Sequence, residues 1–167
     1  DYTFTTLAPS ILSLSWVRLI GSSGMDWAWG VAVDSSGNIY GAGSSGGIID
    51  GQTNAGYSDT LLVKYDSSGN KLWAKTLGST LDDRLYGVAV NSAGEAFAAG
   101  YTGGSIDGNT SNGNDDALLI KYDASGNKIW SKQIGTSGPE YYNDITIDGA
   151  GNIYTFGGFC TGLLTKF

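Results

Sequence analysis

Histidine is absent from the 167 residues. With it go the usual general base near neutral pH and the commonest nitrogen ligand for zinc or iron. The single cysteine, Cys160, allows no disulfide within the chain and reads as a small buried apolar side chain or a link between chains. Nine Lys and Arg stand against 16 Asp and Glu, a net charge of -7. No basic stripe can neutralise phosphates, which argues against nucleic acid, and an anionic membrane surface repels the chain for the same reason. No apolar run approaches the ~20 residues that span a bilayer. A Ser–His–Asp set, a P-loop and a metal-ligand motif are all missing, so the expectation is a protein without enzymatic activity. The chain opens at Asp1 without Met or a charged leader, as a processed form or an excised segment would.

What is abundant is glycine, 27 residues against two prolines, with many Ser, Asn, Asp and aromatics. That composition suits short strands joined by tight turns rather than helices. The organising feature is a repeat of 57 residues: Trp16 recurs as Trp73 and Trp130, Gly21 as Gly78 and Gly135, Asp26 as Asp83 and Glu140. The copies run 16–72, 73–129 and, shortened, 130–167, with 1–15 preceding them as an arm and the start of a closing strand. Within a copy the apolar period is two. Gly30–Asp34 and Asn38–Ala42 flank the turn Asp34-Ser-Ser-Gly-Asn38, and Asp59–Tyr65 and Asn70–Thr76 flank Asp66-Ser-Ser-Gly-Asn70. Each copy therefore reads as a four-stranded antiparallel meander, and apolar residues on both faces at Leu61, Leu62 and Val63 imply a sheet covered on both sides.

Such units stacked on one another give an all-β fold of β-propeller blades, three per chain. The runs Gly-Val-Ala-Val-Asp-Ser-Ser-Gly-Asn-Ile-Tyr, Gly-Ser-Ile-Asp-Gly-Asn-Thr and Leu-Val-Lys-Tyr-Asp-Ser-Ser-Gly-Asn-Lys-Leu-Trp resemble the bacterial SBBP (beta-propeller) repeat from Trp16 to Phe167. The resemblance implies a propeller blade, usually in secreted or surface proteins, and no activity common to the family. The third copy stops after three strands, and Ile11–Ile20 occupies the place of the missing fourth, so that strand is expected to complete the open sheet. Closed propellers use about four to eight blades. Three blades are either a part of a longer array or half of a ring completed by self-association, with two chains giving six blades, or else a repeat unit of a filament. Ile11, Leu14, Trp16, Leu163, Leu164 and Phe167 are the expected contacts between copies.

Residues present in every copy serve the blade. Asp26, Asp83 and Glu140 read as loop-bracing carboxylates, the register tryptophans as packing, and Lys64, Lys121 and Lys166 as solvated charges. Residues that break the repeat on the long-loop face are the better contacts: Trp27, Trp29, Arg84, Tyr86 and Tyr141 are candidate ligand-binding residues for a lectin-like alternative, in which a ring stacks on a sugar. The oxygen-rich loops around Asp50, Asn54, Asp107, Asn109, Asp115 and Asp116 are candidates for calcium, although a self-hydrogen-bonded turn also accounts for them, and no other cofactor is expected. Low lysine and an acidic Ser/Thr/Asn-rich surface point to an extracellular or cell-surface setting, with itself as partner and, in the lectin-like alternative, a glycan.

Overall fold

The computed structural model describes residues 14–158 and 162–167. Its elements are all strands, in three antiparallel meanders. β1 (Asp26–Val33), β2 (Ile39–Ser45), β3 (Asp59–Tyr65) and β4 (Lys71–Leu77) form the first sheet. β5 (Asp83–Val90), β6 (Ala96–Thr102), β7 (Asp116–Tyr122) and β8 (Lys128–Ile134) form the second. β9 (Tyr142–Ile147), β10 (Ile153–Gly157) and β11 (Leu163–Lys166) form the third, which has three strands with β11 at its edge. Register repeats with the sequence: Lys64 faces Trp73 and Lys121 faces Trp130. The repeat begins inside the fourth strand, so the first and second sheets each end in a strand shared with the next sequence copy.

The short turns owe their shape to one carboxylate each. In Asp34–Asn38 the Ser36 and Asn38 amides donate to Asp34 Oδ1, while Asn38 Nδ2 and the Tyr40 hydroxyl donate to Oδ2. Burial acts to raise the Asp34 pKa, but these bonds outweigh it and hold the carboxyl below its ordinary range. Asp66, Asp123 and Asp148 repeat the arrangement. The second sheet reverses its polarity: Asn91 takes the aspartate's place, its Nδ2 donates to Glu95 Oε2, and the freed Glu95 oxygen pairs with Lys121 at 2.7 Å.

Each sheet packs face to face on the next, first on second and second on third, along β1–β5–β9 and from β2 to β5 and β6 to β9. At the first junction Tyr40, Ala42 and Leu62 meet Leu85, Val88, Leu118 and Ile120; at the second Phe97, Ala99 and Leu119 meet Tyr142, Ile145 and Ile153. The register tryptophan and the lysine opposite it clamp the first junction. Trp73 Nε1 and Lys64 Nζ both donate to the Ala124 carbonyl of the neighbouring sheet, at 3.3 and 3.2 Å. The expectation of a solvated Lys64 is therefore corrected: it is buried, its ammonium lying 4.9 Å over the Tyr40 ring, because the hydrogen bond and ring replace water.

The expected strand over Ile11–Ile20 is also corrected. Ile11 to Ser13 lie outside the described residues, and 14–20 form no strand. A strand needs a backbone ladder, and among the described residues none is offered to this segment. It docks by side chains instead. Trp16 Nε1 donates to Ser67 O at 3.2 Å and Arg18 Nε to Gly69 O at 2.7 Å, while Ile20 packs against Leu61 and Val63.

Among the described residues nothing covers the two outer faces of the stack. On the face that follows each sheet, Leu62 is 1% exposed and Leu119 0%, but the equivalent Leu164 is 73% exposed. On the face that precedes each sheet, Val88 and Ile145 are 7% and 6% exposed, whereas the equivalent Val31 is 72%.

Candidate functional site

The long connections meet on the face opposite the short turns, and the repeated carboxylates brace them from within. The Ser22, Ser79 and Thr136 amides donate to Asp26, Asp83 and Glu140 at 2.6, 2.6 and 2.7 Å. Ser45 and Thr102 hydroxyls add bonds from the second strand to Asp26 and Asp83. Burial is deepest at Asp83 and pushes its carboxyl up to about 6, against the bonds from Thr102 and Ser79. At Asp26 the donors outweigh burial and the pKa is lowered. Neighbouring sheets are stitched here too: the Asp83 amide donates to Ser58 O, Ser58 Oγ to Asp82 Oδ1, and the Glu140 amide to Asp115 O.

All five sequence-nominated contacts fall in one row across the sheets. Trp27 stacks on Trp29 with centroids 6.0 Å apart and planes 11° from parallel. Trp29 meets the edge of Tyr86 at 5.2 Å. The Arg84 guanidinium lies 5.9 Å from both the Trp29 and the Tyr101 ring, and its charge is balanced by Asp82 at 3.8 Å. Tyr101 then meets Tyr141 edge-on at 5.0 Å, and the Tyr141 hydroxyl donates to Asp115 at 2.9 Å. Burial, helped by that carboxylate, pushes the Tyr141 hydroxyl up to about 12. Tyr101 was not nominated, yet it breaks the repeat between Ser44 and Gly158, the same signal that found the others. Beside the row is a cleft of 270 Å³ lined by Met25, Trp27, Gly46, Tyr57, Ser58, Asp82 and Arg84.

Of the oxygen-rich loop residues, Asp115 joins this row through Tyr141, and the others are held by partners of their own. Asp50 and Asp107 take positive φ, 50° and 54°, in tight turns closed by Gln52 N to Ile49 O and Asn109 N to Ile106 O. Asp50 pairs with Lys71 at 2.5 Å, and Asp107 with Lys128 and Ser131. Asn54 bonds Ser45 O and the Gly56 amide; Asn109 Nδ2 bonds Ile106 O; Asp116 accepts from Asn112 and Gln133. Among the described residues no three carboxylate, thiol or imidazole groups gather as a metal cluster.

The nominated self-association residues divide. Leu14 and Leu164 are exposed, Trp16 is docked on its own first sheet, and Leu163 and Phe167 turn inward against the second sheet's core. Alternation along β11 sends 163 to the buried face when 164 faces out. Ile11 lies outside the described residues.

Stacked antiparallel meanders with braced loops on one face and tight turns on the other define a repeat-built β architecture of blade type. The model of the SBBP family, a beta-propeller repeat, matches residues 15–50 and 129–157, the corresponding parts of the first and third copies, and the chain is similar to that family there. A regulatory protein, FlaEY of Caulobacter vibrioides, is 33% identical over 95 residues, covering 52% of this chain and 10% of that protein. An uncharacterized WD repeat-containing protein, L264 of Acanthamoeba polyphaga mimivirus, is 24% identical over 184 residues, covering 87% of this chain and 13% of that protein. The chain thus spans about a tenth of the length of these relatives. The repeat family and the WD-repeat relative both support a propeller-type module.

Proposed function

We propose that this chain is a non-enzymatic interaction module of the extracellular or cell-surface space whose principal encoded partner is another copy of itself. The observation that carries the reading is the pair of open faces. Leu164 and Phe156 on one, and Val31 and Val33 on the other, stand exposed at positions that are buried or half-buried wherever a neighbouring sheet is present. Exposed apolar surface of this kind is worth roughly 25 cal/mol per Å² when it leaves water, and an edge strand such as β11 adds backbone groups ready to pair. Sedimentation of the wild-type chain and of Leu164→Asp tests it. The wild type is expected as a dimer or larger, and the charged variant as a folded monomer; a wild type that stays a well-folded monomer at every concentration overturns the reading.

A second reading, a lectin-like binder, is supported by the aromatic row and by the half-exposed Trp27 at the edge of the 270 Å³ cleft. A flat ring beside polar Asp82 and Arg84 suits the apolar face and hydroxyls of a sugar. A glycan array probed with and without chelator tests both this and calcium assistance; no hit in either condition removes it.

A further inference from the structure

The open faces are not merely apolar; they match each other. Resting on the self-association reading, we infer that the third sheet of one copy seats on the first sheet of a second copy, and that β11 takes residues 14–20 of that second copy as its fourth strand.

The first support is the placement of residues 14–20. Trp73, in the fourth strand of the first sheet, lies 6.4 Å from Tyr122 with planes at 28°, and its Nε1 reaches the Ala124 carbonyl. Trp16 lies 6.3 Å from Tyr65 at 33°, and its Nε1 reaches the equivalent Ser67 carbonyl. A side-chain carbon on Gly126 would come 2.8 Å from the Trp73 ring, and one on Gly69 2.8 Å from the Trp16 ring. The segment therefore already stands where the last strand of a preceding sheet belongs. What it lacks is that sheet.

The second support is size. Each buried junction combines a small residue on the following face with a large one on the preceding face in one core: Ala42 with Leu85, then Ala99 with Tyr142. Across the open faces the equivalent residues are Phe156 and Ala28, so large and small have changed sides and the summed volume is kept. Near the loop face Tyr101 meets Tyr141; the equivalent pair is Gly158 and Trp27, the smallest side opposite the largest.

The third support is polar. Lys64 and Trp73 share the Ala124 carbonyl, and Tyr40 donates to Gly94 O at 3.2 Å. The equivalents are Lys166 towards Ser67 O, already holding Trp16 on one lone pair, and Tyr154 towards Gly37 O, each of a second copy. The chain's own first and third sheets lie on opposite sides of the second, so the match is made between copies.

The register follows from β3 and β4, where Lys64 faces Trp73, Val63 faces Ala74 and Leu62 faces Lys75. It places Lys166 opposite Trp16, Thr165 opposite Val17 and Leu164 opposite Arg18. Two chains test it, both carrying Cys160→Ser, one with Val17→Cys and the other with Thr165→Cys, mixed under mild oxidation. Facing cysteines bridge readily while diagonal ones do not, so this mixture should give at least about tenfold more disulfide-linked heterodimer than Val17→Cys mixed with Leu163→Cys. Phe156→Ala should weaken association, and adding Ala28→Phe should restore it. A dimer by mass without the Val17–Thr165 bridge overturns this inference and leaves self-association standing. A bridge formed inside one chain carrying both cysteines overturns the exchange between copies, and a folded monomer overturns both readings.

Discussion

Leu62, Leu119 and Leu164 are the same residue in three copies of one sheet position, and truncating each to alanine should produce two different outcomes. Leu62 and Leu119 are 1% and 0% exposed, each packed between sheets. Removing a buried leucine loses its transfer free energy and leaves a cavity, about 3 kcal/mol at each position. Leu164 is 73% exposed, so only about a quarter of its side chain can be lost from contact. Full burial of a leucine is worth about 2 kcal/mol, which sets the cost of Leu164→Ala in an isolated chain at about 0.5 kcal/mol. If copies associate through this face, that cost should grow with protein concentration, because stability is then linked to dimer formation. Urea unfolding at low and high protein concentration reads all of this, with midpoints for Leu62→Ala and Leu119→Ala depressed at both. Equal losses at all three positions would refute the assignment of open and closed faces. A Leu164→Ala loss that ignores concentration would refute association through this one.

Acid should at first stabilise the protein. Asp83 titrates at about 6 in the folded chain against an ordinary 3.8, so its penalty is complete above pH about 6 and is relieved as pH falls towards 3.8. Urea midpoints should therefore rise over that window and do so much less in Asp83→Asn; below it the lowered Asp34, Asp107 and Asp148 act in the opposite sense and stability falls. Gly51 has φ +78 and open space around it, so Gly51→Ala should cost about 1 kcal/mol of left-handed strain. Gly69 has φ +79 and the Trp16 ring in its path, so Gly69→Ala should cost about 2 kcal/mol and release residues 14–20, seen as faster amide exchange there; equal costs at the two glycines would contradict the docking. Trp73→Phe, which loses the bond to Ala124 O, should cost about 1 kcal/mol in the same assay.

The strands and turns were legible because the repeat states them several times. Asp34, Asp66, Asp123 and Asp148 each bring the same glycine and the same following Asn, and one carboxylate organises each turn. Lys64 was misread because repetition shows that a residue has a constant role but not which face it points to; its burial depends on Tyr40 and Ala124, distant in sequence. Residues 14–20 have the pattern of a fourth strand, yet a strand exists only where a neighbour supplies a ladder, and no local pattern reports that. The aromatic candidates stand out one by one because they break the repeat, while their union into a single row, and the membership of Tyr101, depends on stacking between sheets. The exchange of size between Ala28 and Phe156 is plain in the sequence once the faces are known, and invisible before.

The most direct test is native mass spectrometry of the purified chain across a concentration series. If the end faces pair as proposed, three sheets per chain and the four to eight blades of closed propellers predict one dominant species at twice the 17.4 kDa of the chain, with no ladder of larger forms. A folded 17.4 kDa species at every concentration, or an open-ended ladder, would contradict closure by a second copy.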